Sequence, residues 1–159
     1  TVQTSKNTKT PTSKNSNPPQ TYPNMKTTDQ TLAYTLARVG MGINLTIHGI
    51  VRIPKLNTFA DHITSQFENS YLPSILVKPY AYVLPFAELI IGALMLIGLF
   101  TRQTLVAASI LIISLILGSC IIENWGNAGS QMVYLAYITT LLALRQNHNQ
   151  LSLDHRRNN

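Results

Sequence analysis

The sequence predicts an all-α protein: a bundle of four transmembrane helices with a short amphipathic surface helix between the first and the second. Only 11% of the residues are charged, against about 25% in an average soluble domain, so a water-soluble chain would lack a polar surface. Four apolar runs follow residue 30, each near the ~20 residues that a helix needs to cross a bilayer. Helices satisfy their own backbone hydrogen bonds in lipid, and no segment alternates as barrel strands do.

The four apolar runs differ in how many polar residues interrupt them. The first contains Arg38, Asn44 and His48. The second contains one charged residue, Glu88, and the last two contain no charged residue. The runs cover residues 31–51, 80–100, 104–122 and 128–144.

The chain divides into a membrane domain at 31–146 and two polar tails. Residues 1–30 are mainly Thr, Asn, Ser, Lys, Gln and Pro, and they bury too little apolar surface to offset the entropy of ordering, which predicts disorder. Residues 147–159 form the polar C-terminal tail. Basic residues are scattered at the ends of the apolar runs, which argues against nucleic-acid binding despite the net charge of +6. The single cysteine, Cys120, excludes a disulfide within the chain and is expected to be inert.

The positions of Lys and Arg predict the orientation. Eight basic residues lie on one side of the four spans and three on the other, so both termini should face the cytoplasm. The membrane would be an inner, cytoplasmic or thylakoid-type membrane. Tyr80, Tyr82 and Trp125 lie where aromatic residues anchor a helix at the interface.

The connection between the first two spans contains the surface helix. Phe59, Ile63 and Phe67 recur every four residues between polar positions, and Pro54 and Pro73 bound the segment. This spacing indicates an amphipathic helix on the outer membrane surface. It could be a functional lid or a plain packed connection.

Polar residues within the spans are the candidate functional groups, because each ionisable one costs about 2.5–3.5 kcal/mol to insert. At 100° per residue, Arg38, His48 and Arg52 fall within an arc of roughly 80°, which predicts a polar stripe facing the bundle interior. At 1.5 Å per residue, His48 and Glu88 lie about 8 and 12 Å below the same surface. Glu88 should therefore meet His48 or Arg52.

We expect these groups to form one outward-facing pocket that binds a quinone or a lipid. Its members would be His48, Arg52, Glu88, Trp125 and Gln131. Two alternatives remain open: an ion pair that only fixes helix register, and a proton path. The sequence contains no phosphate-binding loop, catalytic triad or metal-ligand cluster, so it nominates no catalytic residue and no metal site.

Several segments resemble the DoxX family of small four-helix membrane proteins, over residues 32–155. The residues that carry the resemblance are Arg38-Val-Gly, Ile47-His48-Gly49, Leu72-Pro73, Glu88 followed by Gly92, Gly98-Leu-Phe-Thr-Arg102, and Ser152-Leu153-Asp154. The family includes the membrane subunit associated with a thiosulfate:quinone oxidoreductase. The resemblance therefore implies a quinone as the cofactor and gives His48, Glu88, Arg102 and Asp154 as matching positions.

One departure from the family concerns the lysine that many members place soon after the His-Gly pair. Here Arg52 or Lys55 would take that role. No second domain for thiosulfate chemistry is present, so such catalysis would need a partner subunit. The leading hypothesis is a subunit or docking partner in a quinone-linked redox complex. The alternative is a non-catalytic accessory subunit of a larger respiratory or photosynthetic complex, tethered by residues 1–30. A transporter is less favoured, because broken helices and internal repeats are missing.

Overall fold

The computed structural model describes Thr1 and residues 27–154, which form five α-helices, a short 3₁₀ turn and no strand. The all-α prediction is therefore confirmed for this part of the chain. The predicted disorder of the N-terminal tail concerns residues that lie largely outside the described ones. Residues 27–30 of that tail belong to the first helix, which begins four residues before the predicted start of the membrane domain at residue 31. The helices are α1 (Thr27–Arg52), α2 (Leu56–Gln66), α3 (Ser74–Ile97), α4 (Thr101–Ile121) and α5 (Trp125–His148).

The four long helices form a closed ring. α1 packs on α3 and α5, and α4 packs on the same two helices from the opposite side. Large apolar side chains from all four fill the centre, among them Tyr34, Met41, Met95, Leu105 and Ile138. The shorter α2 stands outside the ring and packs against α3.

Glycine residues allow α1 and α3 to pack in backbone contact. A Cβ atom added to Gly92 would lie 2.5 Å from the backbone nitrogen of Thr46, and one added to Gly49 would lie 2.6 Å from the carbonyl oxygen of Pro85. Neither position has room for a side chain. This contact fixes the rotation of α1 and thereby decides which of its polar residues face α3.

Two of the four long helices, α3 and α4, are long and apolar enough to cross a membrane, with mean hydropathies of 1.9 and 2.5 in their most apolar windows. Of the four predicted spans, two therefore meet this criterion of length and hydropathy. The polar residues Arg38, Asn44 and His48 lower the mean hydropathy of α1, and α5 begins with a polar stretch at 126–131.

The surface helix predicted between the first two spans is present as α2. Ala60 is buried against the bundle, and Phe59 and Ile63 are partly buried. Two exposed polar contacts join α2 to α3: Lys78 Nζ lies 3.1 Å from Asp61 Oδ1, and the Tyr82 hydroxyl donates to Asn57 Oδ1 at 3.0 Å.

The C-terminal segment folds back onto the turn between α3 and α4. Gly98 ends α3 in the left-handed conformation, with a φ of +68°. The carboxylate of Asp154 then accepts hydrogen bonds from the backbone N–H groups of Phe100, at 2.8 Å, and Thr101, at 2.6 Å. Phe100, the N-cap residue of α4, has no side chain that could cap the helix, so Asp154 supplies the cap from 54 residues away.

The same contacts set the acidity of Asp154. Partial burial alone would raise the pKa of this carboxyl, but hydrogen bonds from Thr101 and Phe100 and the charge of Arg145 outweigh it and hold the pKa below its ordinary value.

The glycine contact between α1 and α3 gives a first prediction. Gly92→Ala should destabilise the fold by about 1–3 kcal/mol, because its Cβ would overlap Thr46. The control is Gly129→Ala on α5, where a Cβ would have no neighbour within 4 Å and helix propensity should add about 0.5–1 kcal/mol. Unfolding in detergent followed by circular dichroism measures both. Equal effects of the two substitutions would contradict the packing described.

The Asp154 cap gives a second prediction. Asp154→Ala should cost about 0.5–2 kcal/mol at neutral pH, whereas Glu68→Ala, which removes an exposed carboxylate, should cost little. Since the pKa of Asp154 is lowered by folding, its stabilisation is complete above the ordinary value of about 3.9 and is lost as the pH falls through the folded value. Thermal melts from pH 7 to 3 should therefore converge for the wild type and Asp154→Ala. A difference in melting temperature that stays constant with pH would show that the charge of the Asp154 carboxylate does not contribute to stability.

Candidate functional site

A buried ion pair joins α1 to α3. Arg52 Nη1 lies 2.5 Å from both carboxylate oxygens of Glu88. The Glu88 side chain is 3% exposed and that of Arg52 is 27% exposed. The Arg52 guanidinium also lies over the ring of Phe59 on α2, 4.9 Å from its centroid. Of the two partners expected for Glu88, Arg52 is the one that the structure shows.

The rotation of α1 explains why Arg52 rather than His48 meets Glu88. Arg52 follows Gly49 by three residues and therefore lies on the same helical face, the face that contacts Pro85 and Leu89 of α3. His48 precedes Gly49 by one residue, which turns it about 100° away. The expectation that His48 faces the interior and contacts Glu88 is therefore wrong, although its depth along the bundle matches that of Glu88.

His48 instead lies exposed on the outer side of α1. It shares a shallow groove with Asn44 and with the apolar residues Ile43, Ile47 and Val51. Asn44 is partly buried at this groove, and Arg52 lines it too. Asn44, His48 and Arg52 therefore lie along one edge of α1, where Arg52 turns toward Glu88 and His48 faces outward.

A cavity of about 400 Å³ lies beside the ion pair, between α2, the first half of α3, the second half of α4 and the start of α5. Its walls are mostly apolar, and Arg52 reaches it from the side of the ion pair. The apolar lining includes Phe59, Ile63, Phe67, Leu76, Leu84, Leu115 and Ile122.

Six further polar side chains line this cavity: Gln66, Tyr80, Ser114, Ser119, Asn127 and Gln131. The Tyr80 and Ser114 hydroxyl oxygens lie 2.7 Å apart. Gln131 Oε1 is buried and has no hydrogen-bond partner among the described residues. The sequence predicts Gln131 in the pocket but places Tyr80 at the membrane interface. The pairing of Tyr80 with Ser114 across α3 and α4 left no signal in the sequence.

Of the five residues expected in one pocket, Arg52 and Gln131 line the cavity, and Glu88 lies beside it through its ion pair with Arg52. Trp125 is 66% exposed and does not line the cavity. Its predicted role as an interfacial anchor stays a prediction. Three of the expected members, His48, Glu88 and Trp125, therefore do not line the cavity.

Arg38, the other charge of the first helix, lies at the opposite end of the bundle. It is almost completely buried and donates to the carbonyl oxygens of Met95, Leu96, at 3.2 Å, and Leu151, at 2.9 Å. Its guanidinium thus binds the carbonyl end of α3, where the helix dipole is negative.

The residues that carried the family resemblance fall into two groups. Gly98 touches Arg38 so closely that an added Cβ would lie 2.7 Å from Nη1, and Asp154 bonds to Gly98 through its backbone N–H. Gly49 and Gly92 belong to the α1–α3 contact. Arg102 is exposed on α4. The motif residues therefore stabilise the fold more than they line the cavity.

The cavity can bind and orient an amphiphilic molecule. Its walls are mostly apolar, with several polar side chains among them and a charged pair beside it. Cys120 is free and partly buried. Within the described residues no group of three His, Cys, Asp or Glu side chains could hold a metal ion.

A comparison with protein families identifies the family of this chain. The family model described as methylamine utilisation protein MauE matches residues 30–145. The chain belongs to the MauE family. The matched residues run from α1 into α5 and contain the ion pair and the whole cavity, whereas Asp154 lies beyond them. MauE proteins are membrane proteins, which agrees with the membrane assignment made from composition. The match is to this family and not to DoxX. No curated protein and no solved structure matches the chain.

The ion pair gives a third prediction. Glu88→Ala should cost about 3–5 kcal/mol, because it leaves Arg52 without its counter-charge. Glu88→Gln should also destabilise the protein, since the amide keeps the shape but removes the charge. The control is Asp61→Ala, which breaks the exposed pair with Lys78 and should cost less than about 1 kcal/mol. Similar losses for Glu88→Ala and Asp61→Ala in detergent unfolding would show that burial adds nothing to the pair.

Proposed function

We propose that the chain is an integral-membrane accessory component of a redox system, of the kind named in the methylamine utilisation family, and that its cavity holds an amphiphile of the quinone class. The observation that carries this proposal is the cavity beside Arg52 and Glu88, whose mostly apolar walls are interrupted by a few polar side chains. The family match supports the redox setting.

The exposed surface supports insertion of all four long helices into the membrane. Leu36 on α1, Val83 on α3, Ile110 on α4 and Val133 on α5 are each 62–66% exposed. Arg38 and Glu88, by contrast, are among the most buried residues. A soluble protein has the reverse arrangement. The polar residues that lower the mean hydropathy of α1 thus lie partly inside the bundle.

The shape of the cavity suits a ring with an apolar tail. Phe59 and Leu84 provide flat apolar walls, and Arg52 provides a charged donor for a ring oxygen. Leu76 and Leu117 line the cavity and are also exposed on the outer surface. A ligand dissolved in the bilayer could therefore enter sideways from the lipid.

In this proposal a partner subunit of the redox complex provides the catalysis. The competing hypothesis is an accessory subunit whose ion pair is structural and whose N-terminal tail tethers it to a larger complex. That tether concerns residues 1–30, most of which lie outside the described part of the chain. The cytoplasmic location of both termini remains part of the proposal.

A fourth prediction tests the ligand. Protein purified from native membranes should contain close to one quinone per chain on solvent extraction and mass spectrometry. Gly118→Leu should reduce this content about tenfold or more, because Gly118 lines the cavity and a Cβ there would contact only Phe67, at 3.4 Å. The added side chain would thus fill the cavity without a backbone clash.

The control for this experiment is Gly40→Leu, since a Cβ at Gly40 has no neighbour within 4 Å and lies outside the cavity. It should leave the quinone content unchanged. Wild-type protein without quinone, or Gly118→Leu protein with a full complement of it and a native circular dichroism spectrum, would contradict the proposed ligand.

A further inference from the structure

The two less apolar long helices, α1 and α5, lie side by side in the ring. Within the described part of the chain, α3 and α4 are the helices that meet the criterion for a membrane span, and α1 packs directly on α5. Every exposed residue at 83–93 of α3 and at 106–117 of α4 is apolar. The bundle therefore has a purely apolar side at α3 and α4 and a mixed side at α1 and α5.

A hydrogen bond sets the register of α1 against α5. The Tyr137 hydroxyl donates to the carbonyl oxygen of Ala37 at 3.0 Å. Asn44 lies seven residues after Ala37, and Ser130 lies seven residues before Tyr137. The two helices run in opposite directions, and seven residues are nearly two helical turns, so both side chains lie on the face of this contact and at about the same level. His48 follows one turn further along α1.

These polar groups have no partner on another helix. His48 and Ser130 are exposed, and Asn44 is partly buried. Within the described residues, neither the Asn44 nor the His48 side chain forms a hydrogen bond, and the Ser130 hydroxyl donates to the carbonyl oxygen of Gly126 on its own helix, at 3.1 Å. Lipid offers an amide or an imidazole no hydrogen bond, so exposure to it is costly. Protein is therefore a better cover for this face than lipid.

The chemistry of the face is self-complementary. An asparagine amide, a neutral imidazole and a serine hydroxyl each provide both a donor and an acceptor, so each can pair with its own copy. Two chains inserted in the same orientation and related by a two-fold axis along the membrane normal bring equivalent residues together at equal depth. Arg52, at the end of the groove, is paired with Glu88 and adds no free charge that would repel a second copy.

We infer that the α1–α5 face is an interface between two copies of this chain, with Asn44 and His48 at its polar centre. The apolar residues of the same groove, Ile43, Ile47 and Val51, pack around these polar pairs. The apolar side at α3 and α4 stays in contact with lipid, so the entry of a ligand into the cavity is not obstructed. The inference rests on one element of the proposed function, the insertion of all four long helices into the membrane.

Association in vesicles provides the first test. Full-length protein labelled at its C-terminus with a donor or an acceptor dye is reconstituted into phosphatidylcholine vesicles, and energy transfer is followed as the lipid-to-protein ratio rises. The wild type should form dimers. The double variant Asn44→Leu/His48→Leu should associate about tenfold or more weakly, although it makes α1 more apolar.

The control for the vesicle experiment is Thr139→Leu. It also replaces an exposed polar residue by leucine, but Thr139 lies about 200° around α5 from Tyr137. Association should therefore equal that of the wild type. Native circular dichroism spectra of both variants show that folding is unchanged.

Disulfide trapping in native membranes tests the geometry of the interface. In a Cys120→Ala background, Ile47→Cys should give a disulfide-linked dimer on oxidation with copper phenanthroline. Ile110→Cys should stay monomeric, because α4 lies across the ring from α1. The two isoleucines are similarly exposed, at 52% and 63%, so accessibility does not distinguish them.

The outcomes separate the inference from the proposed function. A monomeric wild type in vesicles, equal association of the wild type and the double variant, or equal cross-linking at the two cysteine positions would overturn the inference. Cross-linking of Ile47→Cys only to a different polypeptide would assign the face to a foreign partner and would also overturn it. Release of the protein from membranes by alkaline carbonate would instead overturn the membrane insertion in the proposed function.

Discussion

The buried contact between Glu88 and Arg52, inside a bundle with an apolar surface, is the constraint on which the rest of the structure depends. Arg52 is the last residue of α1, so α1 must end beside the middle of α3. The close contact at Gly49 and Gly92 brings the two helices near enough for this pair. The chain then turns at once into α2, where Phe59 covers the guanidinium.

The two arginines of α1 hold α3 at two levels. Arg52 binds Glu88, and Arg38, about 21 Å away along the helix at 1.5 Å per residue, binds carbonyl oxygens at the end of α3. Asp154 closes the same end by capping α4. One end of the bundle is thus tied by backbone hydrogen bonds, and the other end, beyond Glu88, keeps the open volume of the cavity. The fold separates a structural end from a binding end.

The sequence was sufficient for the helices and for the identity of the buried acid. Apolar run lengths and the Phe59, Ile63 and Phe67 spacing predicted the elements, because both depend on local periodicity. The outward orientation of His48 was not predicted, because the arc that the polar residues occupy on α1 does not show which of its edges packs against α3. The glycines at 42, 49 and 92 mark the faces of α1 and α3 that pack closely together. The Tyr80–Ser114 contact joins residues 34 positions apart, and the Asp154 cap joins residues 54 positions apart. Local sequence patterns do not predict such distant pairs.

The central claim is that Glu88 is a carboxylate paired with Arg52 beside the cavity. Infrared difference spectroscopy of wild-type and Glu88→Gln protein in lipid at neutral pH tests it most directly. The account predicts that the wild type loses carboxylate stretching bands on substitution and shows no carboxylic-acid C=O band that depends on Glu88. A protonated C=O band that disappears in Glu88→Gln would contradict it, because a neutral acid would provide no counter-charge for Arg52.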